Sequence, residues 1–254
     1  MAGRALVAAL GLAVSGCAAG GAGPPTEAAA KALASEIAQR NVSIVDATLA
    51  GKFILESDKG SAKGSVRIRY IRPDIYRVDV IASGVGGAGG GSSCLIEGDS
   101  SLVCLSPGGG TDAASLDESR VVTFLEDFDL ALEDLKALAV SGPYLDMLSL
   151  DAASCRGVRG GYVLEGHSPN GQLVAVWINK DKETVVKGTR RSEDGLPVVE
   201  TKLSRFKQCE GVWQPTRRVI RHFGQEASLS VQYDRIVLNS GLERDDLIVR
   251  GAGS

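Results

Sequence analysis

The side chains that could do chemistry are few. Five cysteines and two histidines, His167 and His222, stand in a chain of 254 residues of which 5% are aromatic. A metal site wants Cys and His ligands at short spacing, and no CxxC pair with a neighbouring His occurs. His167 lies in a Gly-His-Ser-Pro turn, and His222 ends a strand among Arg217, Arg218 and Arg221; neither has a paired carboxylate that would make it a general base. Gly84-Val-Gly-Gly-Ala-Gly89 spells GxGxxG after a strand, but a dinucleotide needs a helix N-terminus next to hold its pyrophosphate. Gly-Gly-Ser-Ser-Cys94 and another strand follow instead. Ser204-Arg-Phe-Lys207 spells SxxK inside an alternating strand, without the companion motifs of penicillin-binding enzymes. The sequence therefore predicts no catalytic residue, no metal and no cofactor, and reads as a non-enzyme. With 28 Lys+Arg against 31 Asp+Glu the net charge is -3, which argues against a nucleic-acid surface.

The fifth cysteine belongs to the N-terminus. Arg4 precedes an apolar run from Ala5 to Val14, about ten residues where a bilayer span needs roughly twenty. It reads as a signal peptide. Val14-Ser15-Gly16-Cys17 at its end resembles the lipobox of bacterial lipoproteins, which implies cleavage after residue 16 and lipidation of Cys17. In that class the thiol and the amine together carry three acyl chains, more than the two needed for stable anchoring. Ala18 rather than Asp after the cysteine implies sorting to the outer membrane. Residues 17–26 continue as AAGGAGPPT after the Cys, small and uncharged, a tether that cannot bury enough surface to fold.

A secreted chain meets an oxidising compartment, so Cys94, Cys104, Cys155 and Cys209 are candidates for disulfides. Three pairings are possible in principle. Cys94 and Cys104 are equidistant from Asp99 within a Gly-Asp-Ser turn, so a hairpin centred there sets them opposite each other. Cys155 with Cys209 is expected by elimination only.

These residues need elements to hold them. Glu27 to Arg40 is rich in helix formers, with Leu33, Ile37 and Val42 along one side. Strands are predicted at Ser43–Glu56, Gly64–Ile71 and Ile75–Ala82, where Val66, Ile68, Val78 and Val80 alternate with polar residues at the two-residue period of a half-buried strand. Ser115-Leu-Asp-Glu118 fits a capping box, and Val121, Leu125, Phe128, Leu132, Leu135 and Ala139 follow at helical spacing, so one long acidic-faced helix is expected up to Ser141-Gly-Pro143. Strands resume at Gly161–Glu165, Leu173–Asn179, Glu183–Arg190, Pro197–Phe206, Trp213–His222 and Ala227–Val237. The composite is a mainly β (α+β) domain over 27–254: about ten or eleven antiparallel strands in a strongly curled sheet or open barrel, closed by helices.

Taken in order, Gly51-Lys-Phe53, Val66-Arg-Ile-Arg-Tyr-Ile-Arg72-Pro-Asp-Ile-Tyr76-Arg-Val78, Val176-Trp-Ile-Asn179 and Trp213-Gln-Pro215 resemble the LolA/LolB lipoprotein carrier and receptor superfamily, including its outer-membrane lipoprotein-sorting relatives, over roughly residues 41–240. The resemblance implies an eleven-stranded, half-open barrel lidded by helices, with an apolar cavity for lipoprotein acyl chains. It places Arg72 where the soluble carrier has a lid-holding Arg. The loop Ala82 to Ser93, with Val85 as its one large apolar residue, stands where the receptor carries a membrane-insertion loop, and is longer and richer in Gly. The expected function is an outer-membrane, periplasm-facing lipoprotein that binds lipid or lipoprotein acyl chains, a receptor in lipoprotein localisation with a periplasmic carrier as partner. The cavity and lid residues would be Val66, Ile68, Val78, Val80, Arg72, Val121, Leu125, Phe128 and Leu132. The alternative is an envelope sensor or interaction module that recognises a protein partner with the same fold.

Overall fold

The computed structural model describes residues 27–58, 60–83, 90–98, 101–105, 111–115, 121–125, 128–139, 143–168 and 171–248. Cys17, Val85 and the Gly84–Gly89 motif lie outside the described residues. The chain opens with α1 (Glu27–Val42) and a first run of strands: β1 (Asp46–Ser57), β2 (Gly60–Ile71), β3 (Ile75–Ser83), β4 (Gly90–Glu97), β5 (Ser101–Leu105) and β6 (Thr111–Ser115). A separate hairpin, β7 (Val121–Leu125) and β8 (Phe128–Ala131), leads into α2 (Leu132–Ala139) and the single turn α3 (Pro143–Asp146). The second run is β9 (Ser154–Val158), β10 (Gly161–His167), β11 (Leu173–Asn179), β12 (Thr184–Arg191), β13 (Pro197–Cys209), β14 (Val212–His222) and β15 (Ala227–Leu238).

Thirteen of these strands form one antiparallel sheet in the order β6-β5-β4-β3-β2-β1-β15-β14-β13-β12-β11-β10-β9. Each run is a meander of sequential hairpins, and the two meanders meet where β1 pairs with β15. β6 and β9 are the two edges and do not pair with each other, so the sheet is open. The period-two pattern fixes which side faces in. Ala47, Leu49 and Phe53 of β1, Val66 and Ile68 of β2, Val78 and Val80 of β3 and Leu229 and Val231 of β15 are all buried on one face. α1, α2 and α3 lie against that face, and the interior is filled by two clusters. One joins β1–β4 and β13–β15 to Leu135, Leu138 and Ala139 of α2. The other joins β10–β13 to Ala34 and Ile37 of α1, Ala137 of α2, and Tyr144 and Leu145 of α3.

The sheet holds thirteen strands rather than the expected eleven or so, and three further expectations need correction. The long helix after Ser115 is absent: Val121–Leu125 and Phe128–Ala131 are strands, and helix begins only at Leu132. The spacing of Val121, Leu125 and Phe128 suits a helix, but Val-Val-Thr-Phe-Leu is a β-branched and aromatic run whose χ1 stiffness favours extended backbone. The side chains of Val121, Leu125, Phe128 and Leu132 lie outside the described residues. Second, α1 buries Ala30, Ala34, Ile37 and Asn41; of the expected stripe Ile37 is buried and Leu33 packs partly buried beside it, but Val42 is 56% exposed. Small residues let the helix approach α3 and the sheet closely.

Third, only one of the two disulfides forms. Cys94 and Cys104 are bonded, directly opposite each other on β4 and β5, with the turn at Gly98 between them. Cys155 and Cys209 are free thiols. Reading across the ladders, Cys155 faces Leu164, Leu164 faces Val176, Val176 faces Gly188 and Gly188 faces Thr201. Cys155 is thus level with Thr201, whereas Cys209 is at the far end of β13. Four strand spacings alone are about 19 Å along the sheet, and a disulfide needs Cα atoms within about 7 Å. Burial pushes both thiols above their ordinary range, which disfavours the reactive thiolate.

Candidate functional site

The sheet residues expected to line a cavity are together on the inner face. Val66, Ile68, Val78 and Val80 are buried in one cluster, paired across the β2/β3 ladder as Val66 with Val80 and Ile68 with Val78. α2 covers them, and its Leu135 and Leu138 are buried in the same cluster. The interior is occupied by protein side chains, so access to the apolar face requires the helices to move.

Besides this apolar packing, polar groups fasten the helices, most of them near the helix ends. A helix leaves its last carbonyls without intrahelical partners. At the C-terminus of α2 the fully buried Arg218 of β14 donates to the carbonyls of Ala137 and Ala139, and the Tyr233 hydroxyl of β15 donates to the carbonyl of Leu138 at 2.7 Å. The Arg218 guanidinium also lies 5.5 Å from the centre of the Tyr233 ring, a cation–π contact. Burial lowers Arg218 to about 10, still charged at neutral pH, and burial pushes Tyr233 up to about 12. The positive charge sits where the helix dipole is negative.

Near the N-terminus of α2, Asp134 is fully buried and forms an ion pair with Arg190 of β12. Tyr144 of α3 donates its hydroxyl proton to Asp134 at 3.2 Å and so accepts from the Thr201 hydroxyl, 2.5 Å away. Burial raises the Tyr144 phenol far above its ordinary range. Room for its ring comes from Gly188 of β12, where a Cβ would sit 2.7 Å from the ring carbons.

α1 has its own fastening. Arg72, at the end of β2, donates from Nε to the carbonyl of Ile44 at 3.1 Å and from a terminal nitrogen to that of Asn41 at 2.7 Å, closing the C-terminus of the helix. Beside it, Tyr70 and Tyr76 stack with centroids 4.8 Å apart, and Lys136 of α2 reaches Asp74 at 2.9 Å. Arg72 was singled out in sequence through the family resemblance; Arg218, Tyr233, Asp134 and Arg190 were not singled out. Their signal was weak but present: Arg218 falls at an inward position of an alternating strand, where a charge needs a buried partner.

The other chemically suggestive residues are dispersed. His167 is exposed at the end of β10, and His222 Nδ1 accepts the backbone N–H of Gln225 in the β14–β15 turn. In the SxxK stretch Arg205 has φ 55°, a local irregularity within β13 across which the register with β14 is kept. Among the described residues, no group of three or more His, Cys, Asp or Glu could hold a metal ion. Among the described residues, no helix is long and apolar enough to cross a membrane.

No protein-family model matches the sequence, and no curated protein is similar to it. The solved structures do give matches. An outer membrane lipoprotein-sorting protein domain from Vibrio parahaemolyticus superposes with a TM-score of 0.62 at 14% identity, covering 87% of this chain and 97% of that one. A DUF1329 family protein from Desulfovibrio piger gives 0.62 at 16% identity, covering 87% and 98%. A LolA superfamily protein from Nitrosomonas europaea gives 0.58 at 13% identity, covering 87% and 97%. Matched over nearly the full length of each of these structures, this chain has the fold of the LolA superfamily protein and of the outer-membrane lipoprotein-sorting domain.

Proposed function

We propose that the chain is an outer-membrane lipoprotein, anchored through Cys17 by a tether over 17–26 and facing the periplasm, that binds lipid or lipoprotein acyl chains against the inner face of its sheet, as a receptor in lipoprotein localisation does. The observation that carries this reading is how the inner face is covered. It is apolar along Val66, Ile68, Val78 and Val80, and the helices over it are fastened by polar groups mainly near their ends. An acyl chain gains about 0.8 kcal/mol per buried CH₂, or about 12 kcal/mol for fifteen methylenes, enough to compete for a face that α2 otherwise covers. Capture and release then need only a shift in helix position, without nucleotide or cofactor.

The filled interior favours a second reading, an envelope module that uses the closed domain to recognise a protein partner. One pair of measurements separates the two. The full chain carrying Cys17→Ser is purified, its organic extract is analysed by mass spectrometry, and a fluorescent fatty-acyl probe is titrated into it. The first reading expects acyl chains in the extract and saturable probe binding that weakens when Leu138 is replaced by Asn. Absence of both acyl chains and probe binding from a folded protein overturns it in favour of the second.

A further inference from the structure

We propose that the outer face of the sheet carries a binding site for a phosphate group, set between β2, β1 and β15 and unconnected with the helix-covered face. A recess of about 270 Å³ lies there, lined by Thr48, Ala50, Arg67, Arg69, Arg235 and Ser240 among others. Its shape follows from the strands. Ala50 of β1 faces Arg67 of β2 on one side and Arg235 of β15 on the other. Two arginines therefore straddle an alanine, their backbones about 9.6 Å apart across two strand spacings, with no side chain between them to fill the gap. The arrangement depends on a bulge. The β1/β15 register slips between Ala50 and Gly51, so that Asp234 is extra; Tyr233 stays inside while Arg235 is turned out. Gly51 permits this, because a Cβ there would stand 2.0 Å from the Gln232 carbonyl oxygen.

The third guanidinium is already held in place. Arg69 donates to Asp79 at 2.8 Å and to the carbonyl of Asp246 at 2.7 Å, while its Nε is buried with no hydrogen-bond partner. Ser240 forms one wall because Asp46 accepts the Ser240 backbone N–H and hydroxyl, each at 2.8 Å, pinning the C-terminal segment across this face. Asp79, opposite Arg67 on the β2/β3 ladder, is shared by Arg69 and Arg77 and by the Ser93 hydroxyl. Among the described residues, Arg67 and Arg235 make no ion pair. The two like charges on either side of Ala50 repel weakly at this distance, and a tetrahedral oxyanion over Ala50 offers acceptors to both forks at once. Thr48 adds a hydroxyl.

The phosphate could come from a phospholipid headgroup or from a soluble phosphoester, and the experiment distinguishes them. Inorganic phosphate is titrated calorimetrically at low salt into the full chain carrying Cys17→Ser, and the same protein is sedimented with phosphatidylglycerol vesicles. The site expects phosphate binding that weakens about tenfold or more in the Arg67→Gln/Arg235→Gln double variant. A second double variant, Arg159→Gln/Arg221→Gln, removes equal charge from exposed positions elsewhere and should bind as the parent does. Vesicle binding that is lost in the first variant and competed by phosphate identifies a lipid headgroup; phosphate binding without vesicle binding identifies a soluble phosphoester. Absence of binding to either probe, or equal weakening in the two variants, overturns the site.

Discussion

Arg217 and Arg218 are chain neighbours on β14, and the sheet puts them in different worlds. Arg217 is exposed on the outer face, whereas Arg218 is fully buried on the inner face. The inner arginine spends its donors on the last carbonyls of α2 and its flat face on Tyr233. The same division runs along β2, where Val66 and Ile68 point in and Arg67 and Arg69 point out. The difference teaches that charge on the inner face is structural: water is gone, so the buried arginines there are answered by a helix end or a buried acid. On the outer face water answers for the protein, and an arginine is free to be answered by a ligand.

The largest test of this contrast replaces the two neighbours in turn. Arg218→Met strands the carbonyls of Ala137 and Ala139 in the interior and should lower unfolding stability by about 3 kcal/mol, read as a shift in urea midpoint. Arg217→Met should stay within about 0.5 kcal/mol. Equal effects would break the comparison. A smaller effect is expected at Gly188→Ala: the new methyl meets the Tyr144 ring at 2.7 Å and, by overpacking, should cost about 2 kcal/mol, with the Tyr144–Thr201 bond disturbed before the sheet is.

The smallest effect is one of pH and belongs to the outer side. Burial alone would raise the Asp79 carboxyl, but hydrogen bonds from Ser93, Arg69 and Arg77 outweigh it and hold the group below its ordinary 3.8. Asp46 is likewise lowered: burial opposes, and the Ser240 hydroxyl with the backbone N–H groups of Ser240, Gly241 and Leu242 prevails. A carboxylate with a depressed native pKa contributes stability that is complete above its unfolded value and is lost as pH falls through the native one. Thermal midpoints should therefore be flat from neutrality to about pH 5 and fall below pH 4, and Asp79→Asn should flatten that fall. An undiminished fall in the variant would assign it to other carboxylates.

How much of this was legible in the sequence follows from which signals were local. The second meander read almost residue for residue, Leu173–Asn179 without error, because its hairpins are short and its alternation clean. Cys94 and Cys104 read correctly from a symmetric turn alone. β7 and β8 were misread as helix because a three-four spacing over few residues does not distinguish an amphipathic helix from a hairpin. β9 gave no signal: Ser-Cys-Arg-Gly-Val at an edge buries little, so no pattern is imposed on it. Of the inner face, the apolar residues and Arg72 were visible, while the fastenings of α2 were not, since each joins residues that only the completed sheet brings together. Arg218 and Ala137 are 81 positions apart.

The seam between the two meanders has a kinetic meaning. Every other junction in the sheet is a hairpin between successive strands or a short excursion from one, but β1 must find β15, and the bond from Ser240 to Asp46 that ends this ladder closes a separation of 194 residues. Loop-closure entropy grows with the logarithm of separation, so this ladder is the contact with the steepest search in the molecule, and high contact order slows folding. Because it lies in the middle of the sheet, the two meanders can each be locally complete and still leave the domain in halves. A chain emerging in order from its N-terminus holds β1–β6 with one long edge of β1 unpaired until its final strand arrives, and that edge, rather than either permanent edge, is where premature pairing with another chain would do the most harm.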